Sequence, residues 1–320
     1  MKVLKCLATS VAASALAFSG FAYGQSYPTK PIRFVVAAAP GSGSDVIARY
    51  LALRLSPGLG QPIVVENKPG ANAVIATQFV AKSPADGYTV MLAGASAHVL
   101  GPAVNPNLPY DVVKDFTPIG QLGLTSNVLL ANVSFPASNI KELIEIAKRG
   151  QTQYASYGTA SAAHFCGEAI NKFAKVKMQH IPYKTVPQII TDITAERIDV
   201  GFVDMTSGTI ALQSGKVKAL GTCLSKSSAL PNVLTFRESG IDLDRSFRWV
   251  ISAPAGTPRS VVQRWNAALD EQLAIPEVKA RLQDMGIDLQ PISVEGLSAA
   301  LADDLVFWRA FAKEVGIKAE

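Results

Sequence analysis

Short apolar runs rich in β-branched residues recur along the chain, and most are followed by a stretch with helical spacing. Ile32-Arg33-Phe34-Val35-Val36, bounded by Pro31 and Pro40-Gly41, predicts a strand, and the apolar positions from Asp45 to Leu55 predict a helix after it. Pro62 to Glu66 predicts a second strand, closed by the turn-forming Asn67-Lys68-Pro69-Gly70 and followed by a helix through about Ala81; Thr89 to Ala93 predicts a third. The alternation continues with strands at Val128–Ala131, Gln153–Ser156, Met178–Ile181, Val200–Val203 and Val217–Thr222. Helices are expected at Asn139–Arg149, His164–Phe173, Val186–Thr194 and Ile210–Ser214. Beyond Phe247–Ala253 the pattern turns helical, with helices from Thr257-Pro258 to about Leu273, from Pro276 to Met285 and from Val294 to Val315.

Strands alternating with helices indicate βαβ units, hence an α/β fold with largely parallel sheet. Phe116-Thr117-Pro118-Ile119-Gly120 to Asn127, and Ser246 to Ala253, read as crossings between domains. Two crossings place residues 25–125 and 250–320 in one discontinuous domain and 126–249 in the other, with a cleft between them that closes by hinge motion. No internal repeat, low-complexity run or long linker interrupts this arrangement.

Residues 1–24 stand apart. Lys2 and Lys5 precede an apolar run from Cys6 to Phe21 that ends in Ala22-Tyr23-Gly24, the pattern of a secretory signal cleaved before Gln25. The run is short and carries Thr9, Ser10, Ser14 and Ser19, which argues against a membrane anchor. The 320-residue chain has a formal net charge of +5, and loss of the two lysines leaves +3. So mild an excess, without basic residues interleaved with aromatics, gives no support for nucleic-acid binding, but it suits a small anionic ligand. Cys166 and Cys223 are the cysteines beyond the leader; their spacing matches no zinc or redox motif, and two free thiols or one disulfide are both open.

Two loops carry the chemistry. Ala38-Ala39-Pro40-Gly41-Ser42-Gly43-Ser44-Asp45 lies between a strand and a helix, where free amide groups favour a carboxylate or phosphate. It is neither a Walker loop nor a dinucleotide fingerprint, and an ordinary turn with Ser44 or Asp45 as N-cap fits it equally well. Tyr157-Gly158-Thr159-Ala160-Ser161-Ala162-Ala163-His164 repeats the same small-residue logic; facing each other across a cleft, the two helix starts would grip both ends of a dianion. His98, His164 and His180 are isolated, so no metal site is expected, and no cofactor motif is present. There is no G-x-S-x-G elbow, and His164 reads more readily as a helix-start or packing residue than as a base. Asp204, at the end of a predicted strand, either faces the ligand crevice or serves as a turn residue or N-cap.

Ordered blocks along the chain resemble the solute-binding proteins of tripartite tricarboxylate transporters, the Bug or TctC family. They include Tyr27-Pro28-Thr29-Lys30-Pro31-Ile32, Pro40-Gly41 through Asp45 with Ala48-Arg49, Val65-Glu66-Asn67-Lys68-Pro69-Gly70-Ala71, Asp86-Gly87-Tyr88-Thr89, His164 with Gly167-Glu168, Ile181-Pro182-Tyr183-Lys184, Ser214 to Leu220, and Ala253-Pro254-Ala255-Gly256-Thr257-Pro258. The resemblance implies a two-domain, type II (Venus-flytrap) periplasmic binding protein that is not an enzyme. It would capture a small organic carboxylate between its domains and deliver it, as a monomer, to the membrane permease subunits of such a transporter. It also implies that Gly41, Ser42, Gly43, Ser44 and Asp45, together with Thr159, Ala160, Ser161, Ala162 and His164, hold the ligand, with Ser96, Tyr183 and Asp204 as further lining. Many relatives carry a bulky Phe where this chain has Ala38, so the pocket mouth is expected to be wider and the ligand larger than a four-carbon diacid, for example an aromatic carboxylate. The competing expectation is an exported α/β enzyme acting on an organic acid, which would need a nucleophile with a base in reach; the sequence displays no such pair.

Overall fold

The computed structural model describes residues 27–243 and 245–318. The expected signal segment 1–24 lies outside the described residues. Two five-stranded mixed sheets organise the chain. The first has strand order β2-β1-β3-β10-β4, built from β1 (Ile32–Val36), β2 (Ile63–Asn67), β3 (Thr89–Ala93), β4 (Phe116–Thr125) and β10 (Phe247–Pro254). The second has order β7-β6-β8-β5-β9, from β5 (Asn127–Asn132), β6 (Gln153–Ser156), β7 (Gln179–Pro182), β8 (Val200–Asp204) and β9 (Val217–Thr222). In each sheet three strands run parallel, β2-β1-β3 in the first and β7-β6-β8 in the second. β10 and β5 enter antiparallel, so the sheets are less parallel than the sequence pattern suggests.

The segments read as crossings are themselves strands. β4 and β10 pair antiparallel along their length, Phe247 opposite Thr125 and Pro254 opposite Phe116, and β4 passes almost directly into β5. Pro118, Gly120 and Gly123 interrupt the apolar run of β4, and the pairing bulges instead of breaking.

Helix α1 (Gly43–Leu59) covers the first sheet with Ile47, Ala48, Leu51, Ala52, Leu55 and Leu59, and ends at Gly60 in the left-handed conformation at φ 79°. It outruns the expected stop at Leu55 because Pro57 is accommodated in the last turn. Helix α2 (Val74–Ala81) follows β2, and a π-turn at Ser96–Leu100 leads into the short α3 (Gly101–Val104). Helices α4 (Ile140–Arg149), α5 (Ala162–Ala174), α6 (Val186–Thr194) and α7 (Met205–Leu212) clothe the second sheet. Helix α7 starts directly after β8, five residues before the expected Ile210, because Asp204 caps it by accepting the Ser207 amide. α8 (Arg259–Leu273), α9 (Pro276–Asp284) and α10 (Val294–Val315) complete the chain.

Cys166 and Cys223 form a disulfide with 5.7 Å between their Cα atoms, which settles the alternative left open by their spacing. No helix among the described residues is long and apolar enough to cross a membrane.

Candidate functional site

Parallel neighbours end side by side, so each lobe gathers its strand-to-helix loops at one edge. In the first lobe, β1 and β3 are in register at Val36 and Leu92, which brings loop 37–42 beside Gly94–Ser96. In the second, β6 and β8 are neighbours, which brings loop 157–161 beside Asp204. These two edges meet. The Gly43 amide donates to Ser207 Oγ at 3.0 Å, and the Ala162 amide to Ser96 Oγ at 3.4 Å. Three helix starts, those of α1, α5 and α7, therefore face the seam between the lobes, each bringing the positive end of its dipole.

In the first loop the N-cap is Ser42, with extended backbone, and neither Ser44 nor Asp45 takes that role. Asp45 sits three residues on and reaches back: its Oδ2 accepts the Gly41 amide at 2.9 Å and Arg49 Nε at 3.0 Å, while Oδ1 accepts Asn67 Nδ2 at 2.9 Å. Burial raises this carboxyl, but the hydrogen bonds from Arg49, Gly41 and Asn67 outweigh it and hold Asp45 below the usual carboxylate range. Asp45 is thus a buried, paired anion that shapes the loop. Ser42 and Ser44 hydroxyls lie 3.3 Å apart, and the Ala38 carbonyl is fixed by Asn67 Nδ2.

In the second loop Ser161 caps α5, its Oγ accepting the His164 amide at 3.3 Å. Ala160 holds φ at 59°, an uncommon conformation for a residue with a Cβ, and its amide donates to His164 Nδ1 at 3.0 Å. His164 therefore acts on the loop backbone, with Nδ1 already engaged. Its ring stacks on His180 with 3.8 Å between centroids, and Nε2 lies 3.9 Å from Glu168. Desolvation, with His180 beside it, pushes the His164 pKa down to about 3, so the imidazole is neutral and able to accept. Thr159, between Gly158 and Ala160, is half-buried in the same loop.

The remaining expected residues divide. Ser96 lies on the seam through its bond to Ala162. Asp204 also lies there, as the cap of α7; burial pushes its carboxyl up, against the lowering effect of hydrogen bonds from Ser207. The Tyr183 hydroxyl donates to Asp192 at 2.9 Å. Sequence reasoning missed Ser207 and Thr206, and nothing in a Met-Thr-Ser-Gly stretch announces a contact with a loop 164 residues earlier. Among the described residues no cluster of three or more His, Cys, Asp or Glu is placed to hold a metal.

The profile of the tripartite tricarboxylate transporter family receptor matches residues 47–317. The chain belongs to this family. Among solved structures this receptor is similar to the periplasmic binding protein BugD, with 32% identity, a TM-score of 0.84, and coverage of 92% of this chain and 100% of BugD. It is similar also to Rpa4515 of R. palustris, solved with adipate, at 26% identity and a TM-score of 0.86 over 91% of this chain and 99% of that one. MatC from Rhodopseudomonas palustris, solved with malate, matches at 27% identity and a TM-score of 0.81 over 89% of this chain and 99% of that one. The two-domain periplasmic binding fold expected from the sequence is thus the fold of this receptor family.

Proposed function

We propose that this receptor captures a small organic carboxylate in the seam between its lobes and passes it to the membrane permease subunits of a tripartite tricarboxylate transporter. The observation that carries this reading is that the α1 and α5 helix starts, from opposite lobes, each reach across the seam, Gly43 to Ser207 and Ala162 to Ser96. Helix N-termini supply amide donors and positive potential without a mobile cationic side chain, which suits a carboxylate at each end of the ligand. Adipate in Rpa4515 and malate in MatC support a dicarboxylate, and Ala38 at the rim favours one larger than four carbons. The reading includes lobes of residues 25–125 with 250–320 and of residues 126–249, export through the 1–24 leader, action as a monomer, and no catalysis. The His164 ring is committed to Ala160 and His180, which leaves it unsuited to act as a general base.

The test is thermal unfolding of the mature protein, stripped of retained ligand by unfolding and refolding, against mono-, di- and tricarboxylates, aliphatic and aromatic. A ligand at about 100 times its Kd stabilises by about 2.7 kcal/mol, a shift of several degrees. A shift with one class of acid supports the reading and names the class; a flat panel, or turnover of a candidate acid, defeats it. Ser161→Asp places a negative charge at the start of α5 and is expected to weaken binding of the best acid at least tenfold by calorimetry.

A further inference from the structure

We infer that Gly43 and Ser207 set the distance to which the two lobes close, and through it the length of ligand the seam retains. This rests on the carboxylate reading for its ligand arm alone. Gly43 opens α1 and, unlike Gly41 or Gly158, does not have positive φ, so the backbone there makes no demand for glycine. What demands it is the opposite lobe. A Cβ on Gly43 would lie 1.9 Å from Asp204 Oδ1 and 3.0 Å from Thr206 Cβ, both in the β8–α7 corner of the second sheet. Asp204 has little freedom to yield, because the same Oδ1 accepts the Ser207 amide at 2.9 Å as the cap of α7. Thr206 is itself bonded across the lobes, its hydroxyl donating to the Met285 carbonyl at 2.6 Å, so the corner is already seated against Gly43's lobe.

Contact at this point is also attractive. The Gly43 amide, a free donor at the start of a helix, finds its acceptor in Ser207 Oγ, and from the second lobe the Ala162 amide finds Ser96 Oγ. Both bonds, like that of Thr206 to Met285, join protein to protein across the lobes. A ligand short enough to lie within the closed seam keeps them; one that holds the lobes apart loses both. Closed-state bonds of this kind convert ligand length into affinity, since a binding protein discriminates by the difference between states.

The test uses the mature protein with Gly43→Ala and, separately, Ser207→Ala. Lobe separation is measured between spin labels on the two lobes, without and with added acid, and calorimetry follows succinate, adipate and suberate. Alanine suits a helix start, so Gly43→Ala is expected to fold, with a melting temperature lowered by only a few degrees for the bonds it loses, and to hold the lobes several ångströms farther apart. Its affinity for succinate should fall at least tenfold more than its affinity for suberate. Ser207→Ala removes the bond without the clash, and should broaden the distance distribution and weaken all three acids severalfold while leaving their ranking intact. A Gly43→Ala protein with wild-type separation and wild-type chain-length preference overturns the inference. Should none of the acids bind the wild type, the carboxylate reading fails, while the distance measurement still decides whether Gly43 and Ser207 set closure.

Discussion

His164 shows how a residue that reads as site chemistry can serve the site indirectly. Nδ1 accepts the Ala160 amide, and burial keeps the ring neutral with a pKa lowered to about 3. In the unfolded chain the same histidine takes a proton near pH 6.5, so its contribution to stability is fully present above that pH and is lost as the pH falls toward about 3. His98, buried and lowered to about 4, acts with the same sign. Between about pH 6 and 5 each histidine adds up to about 1.4 kcal/mol of destabilisation per pH unit. Urea unfolding at pH 7 and pH 5 should show this loss, and His164→Gln, which keeps an acceptor but cannot titrate, should remove one proton's share of the slope. An unchanged slope would mean that His164 is charged in the fold. The sequence placed this residue at a helix start, and the structure agrees; what it could not reveal is that Ala160, with φ at 59°, depends on the ring. Tyr183 illustrates another limit, since the sequence does not show that its hydroxyl is engaged by Asp192 on the next helix.

At the scale of elements, the strand–helix alternation was legible because β-branched runs and helical spacing are local signals. The extended start of α7 was half legible: Asp204 reads as an N-cap or a crevice residue, and it is the cap, but Met205-Thr206-Ser207-Gly208 has weak helical character of its own, so the helix was expected only from Ile210. The Cys166–Cys223 bond was equally invisible, because it depends on α5 lying against the end of β9. Its consequence is local as well as global. Cys166 is one turn into the helix that begins at Ser161, and the amides of Cys223 and Leu224 donate to Asn127 and Ser126, where the chain passes between the sheets. The bond therefore ties a candidate binding helix to the end of β9, beside the point where the chain passes between the sheets. Closing a loop with a sequence separation of 57 constrains the unfolded chain by about 4 kcal/mol in the chain-entropy account. Cys166→Ala with Cys223→Ala should lose stability of that order by guanidinium unfolding, and a loss under about 1 kcal/mol would show that the bond adds little to the packed helix.

At the scale of the whole molecule the two lobes share more than a seam, because α10 lies across both. It touches the π-turn at 96–100, α3 and β4 of the first sheet's lobe and α5 of the second's. Trp308 is 1% exposed, stacks on Phe247 with 5.5 Å between centroids and meets the Phe165 edge at 5.3 Å. Lys172 of α5 pairs with Glu314, and Arg248 of β10 donates to the buried Asp304 at 2.9 Å. The sequence predicted α10 as a helix of the right length but assigned the tail to one lobe, since helical spacing states that an apolar face exists and not how many partners divide it. A helix packed on both lobes makes them unfold together. Calorimetry of the wild type should show one transition, with calorimetric and van't Hoff enthalpies in agreement. Trp308→Ala removes a large buried ring and should cost about 3–5 kcal/mol. Because the ring touches Phe247 on one side and Phe165 on the other, its loss should also separate the transition into two, the lobe that keeps the disulfide melting last. A variant that loses stability but still unfolds in one step would place the coupling in the β4–β5 passage instead of in α10.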